Sequence, residues 1–190
     1  MSVQLKNVTF GYDKPLFTDY TLTLPDQPIV AITGPSGCGK TTLLKLLLGL
    51  ASPRSGQITG LVCARIGAVF QEDRLLPWLS IIENIELVQR DPTAARDSRK
   101  ILNALGLIDY CNAMPSALSG GMKRRAAIAR AIYHSADMLI MDEPFRGLDG
   151  STKRAAMALC ADSCRRMIFV THDLMEAEVF GASVVALPPA

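Results

Sequence analysis

Residues 34–42, Gly34-Pro35-Ser36-Gly37-Cys38-Gly39-Lys40-Thr41-Thr42, fit the spacing G-x-x-x-x-G-K-[ST]. Three glycines let a backbone curl so that successive N–H groups face one anion. Lys40 adds a point charge for β- and γ-phosphates, and the Thr41 hydroxyl can ligate Mg²⁺. The flanks agree. Pro28 to Thr33 (PIVAIT) reads as a buried strand, and Thr41 to Leu50 (TTLLKLLLGL) reads as a helix. A helix N-terminus then faces the phosphates, where its dipole favours negative charge. A strand, this loop and a helix in that order imply an α/β protein that binds a nucleotide.

Ahead of the loop, Val3 to Phe10 and Leu16 to Leu24 alternate apolar and polar residues, as half-buried strands do. Gly11 to Pro15 is a turn between them, so the pair predicts an antiparallel hairpin with Tyr12 at its tip. After the loop, residues 51–56 read as a connection, and Gln57 to Leu61 and Arg65 to Phe70 as short strands. Gln71 follows the second at its carboxyl end, where α/β proteins place ligand-binding residues. Residues 72–79 hold three apolar side chains and the chain's one tryptophan, Trp78. Tryptophan is enriched at binding hot spots, so this loop is a candidate docking patch if exposed, the alternative being apolar residues tucked under the domain.

Residues 80–133 read as helical. Ser80 with Glu83 three residues on has the pattern of a capping box, and the helix should run to Gln89. Thr93 to Leu105 forms a second amphipath, with Asp97 to Lys100 as its solvated face. Ser119-Gly120-Gly121 precedes a helix from Met122 to about His134, which makes a second candidate anion site. Lys123, Arg124 and Arg125 oppose that helix's dipole: they either serve an anion or are a mild cost on a wet face.

Asp137 to Met141 is an apolar run that delivers Asp142 and Glu143 to its carboxyl end. Beside a phosphate loop, Asp142 would hold Mg²⁺ and Glu143 would stand next to an attacking water. A turn over 145–150, a helix over Ser151 to Arg165 and a buried strand over Arg166 to Thr171 follow. His172 sits at that strand's end, the position that Gln71 and Glu143 hold on theirs. A short helix, Asp173 to Phe180, and a last strand, Ala182 to Leu187, complete the pattern.

The 190 residues fit one domain, and 49% apolar with 20% charged residues is a globular balance. A net charge of +2 with no basic block argues against a dedicated nucleic-acid binder. Five scattered cysteines, one inside the phosphate loop, imply a reducing compartment and no disulfide framework. The N-terminus has no apolar core of a leader, and no run approaches the length of a membrane span.

Taken in order, these features resemble the nucleotide-binding subunit of ATP-binding cassette transporters across essentially the whole chain. Gly34 to Thr42 resembles the Walker A loop and Gln71 the Q-loop glutamine. Leu118 to Met122 resembles the signature motif, and Met138 to Glu143 resembles Walker B with its catalytic glutamate. Gly147-Leu148-Asp149 resembles the D-loop and His172 the switch histidine. Tyr12 falls where the family stacks an aromatic on adenine. Gln71 to Trp78 is similar to importers of the nitrate, sulfonate and taurine type.

The resemblance implies a P-loop NTPase (RecA-like) core over 1–77 and 135–190, with an antiparallel β subdomain and a helical subdomain inserted at 78–134. It implies ATP and Mg²⁺. Nucleotide contacts would come from Tyr12, Gly34, Pro35, Ser36, Gly37, Cys38, Gly39, Lys40, Thr41, Thr42, Ser119, Gly120, Gly121 and Asp149. Metal contacts would come from Thr41, Gln71 and Asp142, and catalysis from Glu143, His172, Gln71 and Lys40. Two cassettes, in a homodimer, would sandwich ATP with Ser119 of one capping the other's nucleotide. A separate membrane permease would dock on loop 72–79 and the helical subdomain at the cytoplasmic face. A solute-binding protein would act only indirectly, and nucleic acid has no part.

Three departures stand out. Met122 replaces a common Gln, Arg146-Gly147 replaces the commoner Ser-Ala, and the segment before Gln71 is short. With the chain ending soon after His172, the expectation is a compact cassette without the regulatory domain of some importers. The competing readings are a cassette acting on DNA or the ribosome, a phosphate-loop kinase of small metabolites, and a regulatory cassette that binds without hydrolysing, against which Glu143 and His172 argue. Hydrolysis without an acceptor separates the kinase from a hydrolysing cassette.

Overall fold

The computed structural model describes residues 2–61, 65–89, 97–133 and 136–189. The chain divides into two compact units, Met1–Ala64 with Ile168–Ala190, and Arg65–Met167.

In the first unit, β1 (Gln4–Gly11) lies between β2 (Pro15–Thr23) and β4 (Ser55–Thr59) in an antiparallel sheet. Leu5 faces Leu22 on one side and Ile58 on the other, which puts one apolar row on one face. The β1–β2 ladder is irregular, with Asn7 and Asp19 at φ 49° and 46°. Threonine hydroxyls accept the N–H groups that these irregularities displace: Asn7 N donates to Thr21 Oγ1 and Asp19 N to Thr9 Oγ1. The strand expected over Gln57 to Leu61 starts two residues early, inside the expected loop, because Ser55 pairs with Thr9. Gly56 permits this: a Cβ there would lie 2.3 Å from the Asn7 carbonyl oxygen.

Also in this unit, β3 (Ile29–Thr33) pairs in parallel with β8 (Ser183–Ala186), Ile32 opposite Val185. The later residues of β7 (Arg166–Val170) flank β3 on its other side. Val30, Ala31 and Ile32 are wholly buried, as the unbroken apolar run required. Helix α1 (Lys40–Leu47) stops short of the expected Leu50. Gly49 turns left-handed at φ 67° and Leu50 N donates back to Lys45 O, a Schellman stop.

In the second unit, β5 (Ile66–Val69) pairs in parallel with β6 (Met138–Asp142), and β6 is flanked by the start of β7. Among the described residues its α-helices are α2 (Ile81–Glu86), α3 (Ser98–Ala104), α4 (Gly120–Tyr133) and α5 (Gly150–Ser163). The capping box at Ser80 and Glu83 forms as expected, though α2 is shorter than its pattern. Of the second amphipath, residues 93–96 lie outside the described residues, as does His134 at the end of the third. Asp97 caps α3, but Ser98 is not on a solvated face: it is buried, and its hydroxyl donates to the Glu86 carboxylate at 2.6 Å. Helix α4 packs so closely on β5 that a Cβ on Gly67 would come 2.3 Å from Ala131 O.

Three of the four cations of α4, its arginines, take structural roles. Arg124 is 8% exposed and gives hydrogen bonds to the carbonyls of Phe70 and Gln71. Its Nε lies 3.2 Å from Asp73 Oδ1, an ion pair without hydrogen-bond geometry. Arg125 donates to Leu105 O, and Arg130, a turn further along, to Asp73 O and Arg74 O. Arg124 and Arg130 thus tie α4 to the loop after β5 across more than fifty residues of sequence. Burial raises the Asp73 carboxyl despite the pull of Arg124, Lys123 and Arg130, so Asp73 depends on these neighbours for its charge. Arg124→Met is expected to lower stability by about 2 kcal/mol in urea titrations, since it orphans two carbonyls and one partly buried carboxylate.

Candidate functional site

The phosphate loop starts where β3 ends. Gly34, Gly37 and Gly39 take φ values of 147°, 82° and 96°, all closed to ordinary side chains. At two of the three, space is also gone. A Cβ on Gly34 would lie 2.8 Å from Cys38 Sγ, and one on Gly39 2.8 Å from the Phe17 ring. Cys38 is buried beneath the loop, which explains an apolar thiol at that position. Lys40 is only 7% exposed, and its Nζ donates to the carbonyls of Gly34 and Pro35, each at 2.8 Å. The ammonium is therefore folded back into the ring of the loop. No side chain caps α1: Gly39 stands at the N-cap. An α-helix leaves its first-turn N–H groups without intrahelical acceptors. Here they open onto a loop of glycines and one buried cation, a site for a multiply charged anion. Pro35, Ser36 and Gly37 are exposed at its rim, as is Thr41, while Thr42 is buried.

Two further expected residues belong to this unit. Thr171 N donates to Ile32 O, so His172 and Gly34 each follow closely on neighbouring strand ends. The backbone around His172 is fixed by a small network. The Thr171 hydroxyl gives to Glu176 Oε2 at 2.6 Å and takes from Asp173 N, and Asp173 caps α6 (Leu174–Val179). His172 itself is exposed. Tyr12 is 59% exposed at the hairpin tip, edge-on to Phe10 at 5.3 Å between ring centres.

The second unit carries the rest. Gln71 is exposed, with its backbone carbonyl held by Arg124. Asp142 ends β6 and is buried. Glu143 follows in a left-handed conformation, φ 46°, and its Oε2 accepts from Arg146 Nη1 at 3.0 Å. Within this unit, the Gln71 amide and the Asp142 carboxylate are hard oxygen donors of the kind that suit Mg²⁺. Among the described residues no group of three His, Cys, Asp or Glu side chains makes a metal cage by itself.

Ser119 is exposed, and its Oγ accepts from Met122 N, so α4 begins at Gly120 and not at Met122 as expected. Gly120 and Gly121 form its first turn. A Cβ on Gly120 would meet nothing within 4 Å, which leaves that turn open to an approaching group. Gly121 lies beside the carbonyl of Gly147, so the Ser-Gly-Gly turn and the turn before α5 are neighbours. Asp149 caps α5, accepting from Thr152 N and the Ser151 hydroxyl.

Those hydrogen bonds, from Thr152 first and Ser151 after it, hold the Asp149 carboxyl well below its ordinary 3.8. Glu83 moves the same way through its bonds with Ser80. A depressed folded-state value means that the unfolded chain takes up the proton first. The Asp149 cap therefore stabilises fully above 3.8 and the Glu83 cap above 4.5, and each contribution is lost as pH falls below that value. Thermal melts across this window should show Asp149→Ala flattening the acid limb relative to the parent.

Four further side chains hold the backbone or side chains of these candidate residues or of the loop with Trp78, and sequence reasoning did not single them out for it. Arg54 and Lys45 reach Tyr12, and Arg146 reaches Glu143. Asn84 is wholly buried and gives three hydrogen bonds to the carbonyls of Leu76, Leu79 and Ser80, while taking one from Leu76 N. It staples the loop that exposes Trp78, itself 67% exposed. An asparagine inside an apolar helix face was the one available hint of such a staple.

The family model described as ABC transporter matches residues 17–146. The aliphatic sulfonates import ATP-binding protein SsuB 2 of Burkholderia cenocepacia is 40% identical over 192 residues, covering 93% of this chain and 70% of that protein. The SsuB 1 protein of Paracoccus denitrificans is 37% identical over 191 residues, covering 98% and 78%. Among solved structures, the dimeric ATP-binding cassette MJ0796, in a post-hydrolysis state bound to ADP and Pi, superposes with a TM-score of 0.83 at 29% identity, over 97% of this chain and 94% of that one. The P-loop NTPase fold expected from the phosphate loop is the one found. The chain belongs to the ABC transporter family and is an ATP-binding, ATP-hydrolysing cassette of that family.

Proposed function

We propose that this cassette powers solute import through a separate membrane-spanning subunit, as half of an ATP-dependent homodimer. The observation that carries the reading is the glycine loop around Lys40, whose buried ammonium donates to two loop carbonyls and can turn to a triphosphate. Lys40 would then lie on the β- and γ-phosphates. Glu143 would accept the proton of the attacking water, and His172 would hold the water and the γ-phosphate in line. Gln71 would sense the γ-phosphate. Mg²⁺, held by Thr41, Asp142 and Gln71 with phosphate oxygens, would neutralise developing charge. Phosphoryl transfer needs mainly positioning and charge stabilisation, which this set supplies. The exposed Ser119 and open first turn of α4 suit a role toward another copy's nucleotide, with Asp149 near that seam. The dimeric state of the MJ0796 cassette supports this arrangement.

The names of the SsuB relatives support import, with an aliphatic sulfonate as the class of solute. Among the described residues no helix is long and apolar enough to cross a membrane, so the transmembrane path would belong to a permease. The cassette would sit peripherally at the cytoplasmic face, and a solute-binding protein would contact only the permease. The exposed Trp78, on a loop stapled by Asn84, supports docking there, with helix α2 following it in the chain. Trp78→Ala is expected to weaken co-purification with the permease by about tenfold or more and leave ATP affinity unchanged. An undiminished complex would remove the docking role.

A further inference from the structure

We infer that Arg54 and Lys45 are positioning residues for the nucleotide base: Arg54 fixes the backbone that carries Tyr12, and Lys45 ties the Tyr12 ring to the helix that holds the phosphates. The inference rests on the reading of Tyr12 as the surface on which the base stacks.

A tyrosine at an exposed hairpin tip has freedom to lose, and stacking on it gains most when that freedom is already gone. Arg54 removes it at the backbone. One guanidinium nitrogen, Nη2, donates to two consecutive carbonyls, Gly11 O at 3.0 Å and Tyr12 O at 2.7 Å. The arginine is itself anchored, since its backbone N donates to Thr9 O at 2.8 Å. The hairpin tip is thereby held from a residue 42 positions away. Lys45 acts on the ring. Its Nζ lies 3.4 Å from the Tyr12 hydroxyl and 5.7 Å from the ring centre. Phe10 backs the same ring edge-on.

Lys45 stands on α1, five residues after Lys40. The helix that begins at the phosphate loop thus also carries the group that touches the base platform. The span between base and phosphates is then set by one rigid helix and not by a loose hairpin. Neither cation is among the residues proposed to act on the transferring phosphoryl group. Their loss should weaken nucleotide binding and leave the chemical step alone.

The test uses the full chain, with ATP and base-free inorganic tripolyphosphate as calorimetric probes. Arg54→Ala should weaken ATP by about fivefold, the effect of roughly one net charged hydrogen bond, with tripolyphosphate affinity and kcat unchanged. Arg54→Lys should recover part of that loss. Lys45→Met, which keeps the stem, should give a smaller loss of about twofold. Tyr12→Ala should cost about tenfold for ATP. The double variant Arg54→Ala/Tyr12→Ala should bind no more weakly than Tyr12→Ala, because the arginine acts through the ring. Additive losses, an equal loss for tripolyphosphate, or unchanged ATP affinity in Arg54→Ala would each overturn the inference. Unchanged ATP affinity in Tyr12→Ala would remove the stacking surface itself, and the inference with it. Both exposed positions permit a fold check by circular dichroism.

Discussion

Glu143→Gln is expected to cut steady-state ATP turnover by at least about a hundredfold, the low end of what a positioned general base contributes. The substitution keeps size and shape, so the left-handed backbone at 143 is neither relieved nor worsened. An amide oxygen can still accept from Arg146, so the turn closed by Arg146 N on Glu143 O should persist. What disappears is a group able to take a proton from water. Binding groups are untouched, so ATP should accumulate uncleaved and hold two copies together. Phosphate release and size-exclusion chromatography with ATP read the two halves of this result. Normal turnover would move the base to another residue.

Lys40→Ala is the second large effect. The ammonium is buried within the loop, and its two present partners are carbonyls of that loop. Deleting it removes a cation placed at those N–H groups. ATP affinity should fall by about tenfold to a hundredfold, as expected for a charge-assisted contact. The methylene stem fills little core volume, so thermal stability without nucleotide should change far less. Equilibrium binding of ATP measures the loss directly. Equal affinity in parent and variant would mean that the lysine serves only to brace the loop.

Much of this site was legible because it is local. The buried run at β3, the glycines at 34, 37 and 39 and the helix after them are dictated by neighbours in sequence. The same holds for the carboxylates that end β6. Other features were hidden because their partners are distant. Nothing near Arg124 announces that it is buried under the carbonyls of Phe70 and Gln71, and a run of three cations reads as a wet face. Ser98 looked solvated until Glu86, twelve residues earlier, supplied its acceptor. The helix after Ser119 starts earlier than its apolar period does. Its first turn is glycine, which carries no periodic signal, and the serine hydroxyl supplies the cap. The early start of β4 is likewise set by pairing with β1, a tertiary choice that overrides a turn-like Ser-Gly.

The central claim is that one copy's phosphate loop and another copy's Ser-Gly-Gly turn share a nucleotide. It is tested most directly by mixing two inactive variants, Lys40→Ala and Ser119→Glu. The glutamate places an anion where phosphate would be capped, at an exposed helix start that tolerates an acid. In a mixed dimer the loop of the Ser119→Glu copy meets the intact serine of the Lys40→Ala copy, so one whole site forms. Turnover of the mixture should rise well above the sum of the two variants alone. No gain on mixing would mean that both groups serve a site within one chain, or none, and would contradict the account.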